Sequence, residues 1–301
     1  MNSKKTSALI ILIIVIIIWA STFFIIKDTV TVVDPYLLVF YRTTIAAIFM
    51  LLVVLIRREK LKINKPSVIN GLIVGFLVGI SYISQTVGMK YTSSGHSAFI
   101  SCSSVILVPI ILLIGFKEKV NQIEIISLII TLIGLFLLTY DIKTRINFGD
   151  AITFISMIAF AINLVYQSKF AQNINILSFL FFQFLGASLV GTFGLFLITD
   201  FSMHLSLKVL TVLIYLAVFV TLFCFSAITW ILKYLNPFFV ALLISVEPVL
   251  AAVFGYFALG EKLNLKEFIG ASIVMGGILY YQLKYNKSSL NKNEIECCKC
   301  T

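Results

Sequence analysis

Hydrophobic residues of this 301-residue chain come in long unbroken runs, each closed by a short polar connection. The runs fall at 8–26, 37–56, 68–88, 95–116 and 123–140, then at 149–170, 177–199, 208–231, 237–259 and 267–284. About 20 apolar residues rising 1.5 Å each cross the hydrocarbon of a bilayer, so each run predicts a transmembrane α-helix. The runs lack strand-like alternation and are far longer than barrel strands. The pattern therefore predicts an all-α membrane protein of ten transmembrane helices, with connections too short to hold an extramembrane domain.

Composition agrees: 60% of residues are hydrophobic and 12% charged, with a mean hydropathy of +1.07. A soluble domain is excluded. The net charge of +10 changes the picture once it is divided across the bilayer. With the N-terminus inside, fifteen Lys and Arg fall on the inner side, seven on the outer side, and Arg42 within a span. This bias predicts both termini in the cytoplasm and explains the basic excess by topology, so no nucleic-acid partner is expected. The first twenty residues mimic a signal peptide, but the apolar run continues to Ile26 without a convincing cleavage site, and a retained first helix is expected. The reading is a multi-pass protein of the cytoplasmic membrane, with the lipid bilayer as its surroundings.

The chain also repeats itself. An offset of 143 residues lays "FKEKVNQIEIISLIITLIG" (116–134) over "LGEKLNLKEFIGASIVMGG" (259–277), with Glu118, Lys119, Asn121, Glu124, Ile126, Ile130 and Gly134 meeting identical residues. The same offset matches Thr86, Lys90, Tyr91 and Ala98 with Thr229, Lys233, Tyr234 and Ala241. Two units follow, 1–144 and 145–287, and then a polar cytoplasmic tail at 288–301 that reads as disordered. Five helices per unit is an odd number, so the second unit enters the membrane from the opposite side. Inverted repeats of this kind characterise secondary transporters, because two near-equivalent packings supply inward-open and outward-open states. The repeated EKxNxxE places Asn121 and Asn264 as helix N-caps, with Glu124 and Glu267 closing capping boxes.

Within the spans only Arg42 and Glu247 are charged well away from the ends. Such groups cost at least about 2.5 kcal/mol and face a cavity or a partner. Arg42 lies about two turns inside helix two, where it either snorkels or pairs with Asp34, or else contacts substrate. Glu247 lies near the midplane, beyond the reach of snorkelling. Its repeat equivalent is Ser104, which continues the stripe Ser97, Ser101, Ser104 down one helix face, and the pair is expected near the centre of the pseudo-symmetry. Tyr82 with Ser81 and Gln85, Asn163 with Gln167, and Trp19 and Trp230 complete the candidate lining. For any one of these polar residues an interhelical hydrogen bond is the alternative. Glu247 either exchanges a proton or binds cargo, or it bonds a carbonyl freed by Pro248 and fixes a bend. Gly71, Gly75 and Gly79 form a GxxxGxxxG stripe for close packing. His96 and His204 have no acidic or Cys partner at metal spacing, and "ECCKC" (296–300) matches no standard zinc pattern. No nucleotide motif is present; no metal or cofactor is expected, and the chain is not read as an enzyme.

The segments "WASTFFIIK" (19–27), "DPYLLVFYR" (34–42), "GMKYTSSGHSAF" (88–99), "VEPVLAAVFGYFALGEKL" (246–263) and "GASIVMGGILYY" (270–281) together resemble the drug/metabolite transporter superfamily, in its ten-helix EamA-type members. The resemblance implies two inverted five-helix halves around a central cavity and alternating-access movement of small metabolites, often export of amino acids. Efflux of cationic compounds and a non-transporting scaffold are the alternatives. The first helix has no acid, unlike distantly related small multidrug carriers, and this departure sets their proton-coupled mechanism apart. A small-molecule substrate is the expected partner, and monomer and homodimer both remain open.

Overall fold

The computed structural model describes residues 3–58, 64–139, 147–171, 174–198, 206–259 and 265–298, and every regular element among them is helical. We label the helices α1 Ser3–Thr29, α2 Pro35–Arg57, α3 Lys65–Tyr91, α4 Ser94–Phe116, α5 Gln122–Thr139, α6 Phe148–Phe170, α7 Ile176–Leu197 and α8 Leu207–Ile231. Then come α9, in two pieces, Pro237–Ile244 and Glu247–Leu259, and α10, Leu265–Cys298. Among the described residues, α1 to α9 contain the nine segments long and apolar enough to cross a membrane. The tenth expected span lies within α10. The polar tail, expected to be without regular structure, continues α10 as helix to Cys298. A polar composition does not stop propagation of a helix already nucleated.

Short polar residues start these helices by satisfying the first free N–H groups. Asp34 accepts from Tyr36 N ahead of Pro35, Asn64 from Ser67 N and Asn175 from Ser178 N. Asn147 and Asp150 form a full capping box at α6. The expected box at α5 is also reciprocal: Asn121 Oδ1 accepts from Ile123 N at 3.2 Å and Glu124 Oε2 from Asn121 N at 3.1 Å. Its second copy includes Glu261 and Asn264, which lie outside the described residues. At the far end of α3, Lys27 donates to Met89 O and Thr92 O, both at 2.7 Å, so α1 caps the C-terminus of α3. Glu118 pairs with Lys169 of α6 rather than with its neighbour Lys119.

The closest packing is between α3 and its partners α6 and α7, and between α5 and α10. The glycine stripe of α3 explains the first. An added Cβ on Gly71 would lie 2.7 Å from Phe179 O, and one on Gly75 would lie 2.9 Å from Ala187 N and from Gly186 Cα. Backbone meets backbone there, and no rotamer change relieves the contact.

Three helices depart from regular α geometry in mid-span, and α7 ends in a 3-10 turn, Leu195–Leu197. In α4 the helix breaks at Ser103, between Ser94–Cys102 and Ser104–Phe116; in α9 it breaks at Ser245 and Val246. The two broken helices cross antiparallel, the first piece of each packing on the second piece of the other. Pro248 removes the donor that Ile244 O would otherwise receive, and the Cys102 thiol lies 3.9 Å from that carbonyl. The middle of α8, Leu216–Phe223, is π-helical, a local widening frequent at functional sites.

Gly75→Val should cost about 1–3 kcal/mol or more of stability through overpacking against α7. A lower thermal midpoint in detergent checks this, and Gly95→Val, where an added Cβ meets open space, serves as the control.

Candidate functional site

Seven helices, α1, α2, α3, α4, α6, α8 and α9, send side chains to one cavity of about 60 Å³. Seven of the expected residues converge on it: Trp19 from α1, Arg42 from α2, Ser81, Tyr82 and Gln85 from α3, Ser101 from α4 and Glu247 from α9. The volume is below the roughly 300–1,000 Å³ of ordinary small-molecule pockets. A ligand that fills a pocket of that size does not fit this conformation.

Arg42 neither snorkels nor pairs with Asp34. It is 1% exposed, because α2 is covered on this face by α7 and the middle of α8, while Asp34 is occupied by the helix cap. Its Nε donates to Thr221 Oγ1 at 3.2 Å, and its Cζ lies 3.6 Å from the centroid of the Tyr82 ring, within cation–π range. The π-helical segment makes this possible, since Thr221 Oγ1 donates back to Leu216 O, five residues earlier, at 2.8 Å. The same segment presents Val220 O to the indole of Trp19 at 3.2 Å. Trp19 is further held by Phe160 and Phe225, at centroid distances of 5.7 and 5.5 Å.

Glu247 is 6% exposed and begins the second piece of α9. Its Oε1 has no hydrogen-bond partner, and its Oε2 lies 4.0 Å from Cys102 Sγ. The carbonyl freed by Pro248 is met by Cys102 and not by Glu247, so the carboxyl group is aimed into the cavity rather than spent on the bend. No ion pair joins Glu247 to Arg42 among the described residues. An acid and a base thus line one cavity without direct contact with each other. Gln85 Nε2 bonds Ser101 Oγ at 3.1 Å and fixes the polar wall between α3 and α4.

The other expected residues lie elsewhere. Ser104 is buried at the start of the second piece of α4 but does not line the cavity. Gln167 donates to Asn163 Oδ1 at 2.9 Å and accepts from Thr229 Oγ1 at 2.9 Å, an interhelical bond between α6 and α8. Trp230 packs on Tyr234 at 4.9 Å. His96, read as having no acidic or Cys partner at metal spacing, meets an acid distant in sequence: its Nδ1 is 3.5 Å from Asp150 Oδ1, because α4 packs on α6. No cluster of three metal-ligating groups occurs among the described residues, and His204 lies outside them.

Sequence reasoning missed Thr221, Phe160, Phe225 and Cys102. One of these was legible: Ser156, Phe160, Asn163 and Gln167 form a single helical stripe at i, i+4, i+7 and i+11, of which the first two members line the cavity. Thr221 was hidden by the π segment, which shifts the register that a 3.6-residue period carries along α8.

The profile of the EamA-like transporter family matches this chain twice, at residues 6–140 and 147–281. An uncharacterized transporter of Archaeoglobus fulgidus is 24% identical over 215 residues, 70% of this chain and 68% of that one. The uncharacterized transporter YoaV of Bacillus subtilis is 23% identical over 238 residues, 77% and 82% of the two chains. A protein of known crystal structure shares the fold, with a TM-score of 0.75 at 16% identity over 92% of this chain and 98% of that one.

Gln167→Met should lower stability by about 1–2 kcal/mol, the range of interhelical hydrogen bonds in membranes, since Asn163 and Thr229 each lose a partner. Thermal unfolding in detergent, compared with Thr229→Ala and the double variant, checks that the effects are not additive.

Proposed function

Because the chain belongs to the EamA-like transporter family, and so is a multi-pass membrane transporter, we propose that it is a secondary active carrier. It moves small metabolites, amino acids or related compounds, out across the cytoplasmic membrane by alternating access. The observation that carries this reading is the convergence of seven helices on one buried cavity that holds two ionisable side chains unpaired with each other. A scaffold gains nothing from that arrangement and bears its cost.

Alternating access is readily built from two halves of like structure set in opposite directions. Two pairs of contacts support such a relation here. Gly134 of α5 approaches Gly270 and Val274 of α10, while Gly277 of α10 approaches Ser127 and Thr131 of α5. Each residue in the second set is 143 positions from its counterpart in the first, as a two-fold relation requires. The breaks of α4 and α9 behave the same way: their second pieces begin at Ser104 and Glu247, again 143 apart. Two broken helices crossing at their breaks form a joint on which each half pivots past the other, and the cavity lies beside that joint through Cys102, Ile244 and Glu247. Glu247 serves there as the group that exchanges a proton or meets the cargo.

Efflux of cationic compounds is the second reading. Glu247 and the aromatic side chains Trp19 and Tyr82 favour it; Arg42 in the same cavity opposes it by like-charge repulsion.

Purified protein in proteoliposomes should exchange at least one amino acid across the membrane, with Glu247→Gln reducing that flux about a hundredfold or more, the lower end of losses when a positioned proton-transfer group is removed. Absence of flux for amino acids, organic cations and related metabolites alike would sink the carrier reading. Full activity and unchanged pH dependence in Glu247→Gln would remove that residue from the mechanism.

A further inference from the structure

The fixed end of the cavity is the guanidinium of Arg42. One of its donors is committed, Nε to Thr221 Oγ1 at 3.2 Å. The hydroxyl proton of Thr221 goes to Leu216 O at 2.8 Å, leaving its lone pairs for the arginine. One face of the guanidinium plane is covered by the Tyr82 ring at 3.6 Å, and the Tyr82 hydroxyl lies 3.3 Å from the same Thr221 oxygen. The plane is thereby held at its edge and on its face. Nη1 and Nη2 are both buried and both lack a partner, in a side chain that lines the cavity and is 1% exposed.

Two parallel unpaired N–H groups on a rigid plane are the complement of a carboxylate, which they bind bidentately. A desolvated guanidinium with no carboxylate within 4 Å among the described residues also favours an anion over a neutral oxygen. A phosphate monoester, with nearly two charges, would need a second cation, and no lysine or other arginine is among the described lining residues. We propose that Arg42 is the carboxylate receptor of the cargo, oriented by Thr221 and Tyr82, and that Oε1 of Glu247 receives the cargo's ammonium group. The cargo is accordingly a zwitterion that completes both partial sites at once. This rests on the carrier reading above, sharpens its substrate class, and assigns Thr221 as a positioning residue.

The test uses full-length protein in detergent, titrated with the twenty standard amino acids, with the amines that remain when their carboxylates are removed, and with the acids that remain when their amines are removed. Thermal shift reads binding. At least one amino acid should stabilise the wild type, and its parent amine should bind roughly 30-fold more weakly or worse, the penalty for leaving a buried charge unpaired. Arg42→Gln should lose a similar factor, and Arg42→Lys should recover only part of it, because a point charge replaces the fork. Thr221→Val keeps the guanidinium and removes only its tether. It should raise the dissociation constant about fivefold, the worth of one hydrogen bond, without reordering the preference for carboxylates, and it carries the test if Arg42 variants do not fold.

Tighter binding of amines than of amino acids, no binding of any carboxylate, or unchanged affinity in a folded Arg42→Gln protein would overturn the proposal. Flux in proteoliposomes separates the two levels. An organic amine carried without its carboxylate overturns the Arg42 assignment and leaves a carrier, whereas an amino acid bound through Arg42 but never moved supports the site and overturns transport.

Discussion

A charged side chain inside a bilayer has to be held against something better than hydrocarbon. Arg42 and Glu247 meet that constraint in the same place, a cavity walled by seven helices, and much of the local architecture follows from it. The π segment of α8 brings Thr221 to Arg42 and a carbonyl to Trp19. The break in α9 places Glu247 at the start of a helical piece, where the positive end of the helix dipole faces its carboxyl group. The break in α4 brings Cys102 to the carbonyl that Pro248 leaves without a donor. Irregular backbone is tolerated at membrane depth where it is buried in protein or lines a cavity, and all three irregular segments contribute lining residues.

Regular structure does the opposite work. The glycines of α3 let it lie close along α7, and Gly134, Gly270 and Gly277 do the same for α5 and α10. The structure thus contrasts tightly packed helix pairs with broken helices that cross beside the cavity.

The fold was legible because hydrocarbon leaves few choices: an apolar run of the right length becomes a helix, and caps at Asp34, Asn64, Asn147 and Asn175 mark where several begin. Most of the candidate side chains reach one cavity because polar residues at helical spacing must face inward. Period alone does not say whether an inward polar group meets a cavity or another helix, and so Asn163 and Gln167 are found in a hydrogen bond with Thr229 instead. Nor does sequence announce a π-helix. The wider turn between Leu216 and Phe223 turns Thr221 to Arg42. The position of Arg42 is a tertiary fact as well: headgroups are two turns away along α2, but α7 and α8 close the route.

The central claim is that the buried cavity opens to each side of the membrane in turn. Its most direct test is a single cysteine at Ser101, in a protein whose native cysteines are replaced by serine, alkylated by a membrane-impermeant maleimide applied to either face of sealed vesicles of known orientation. The account predicts labelling from both faces, with either one suppressed when a bound solute holds the opposite state. Labelling from one face only, or from neither, would contradict it.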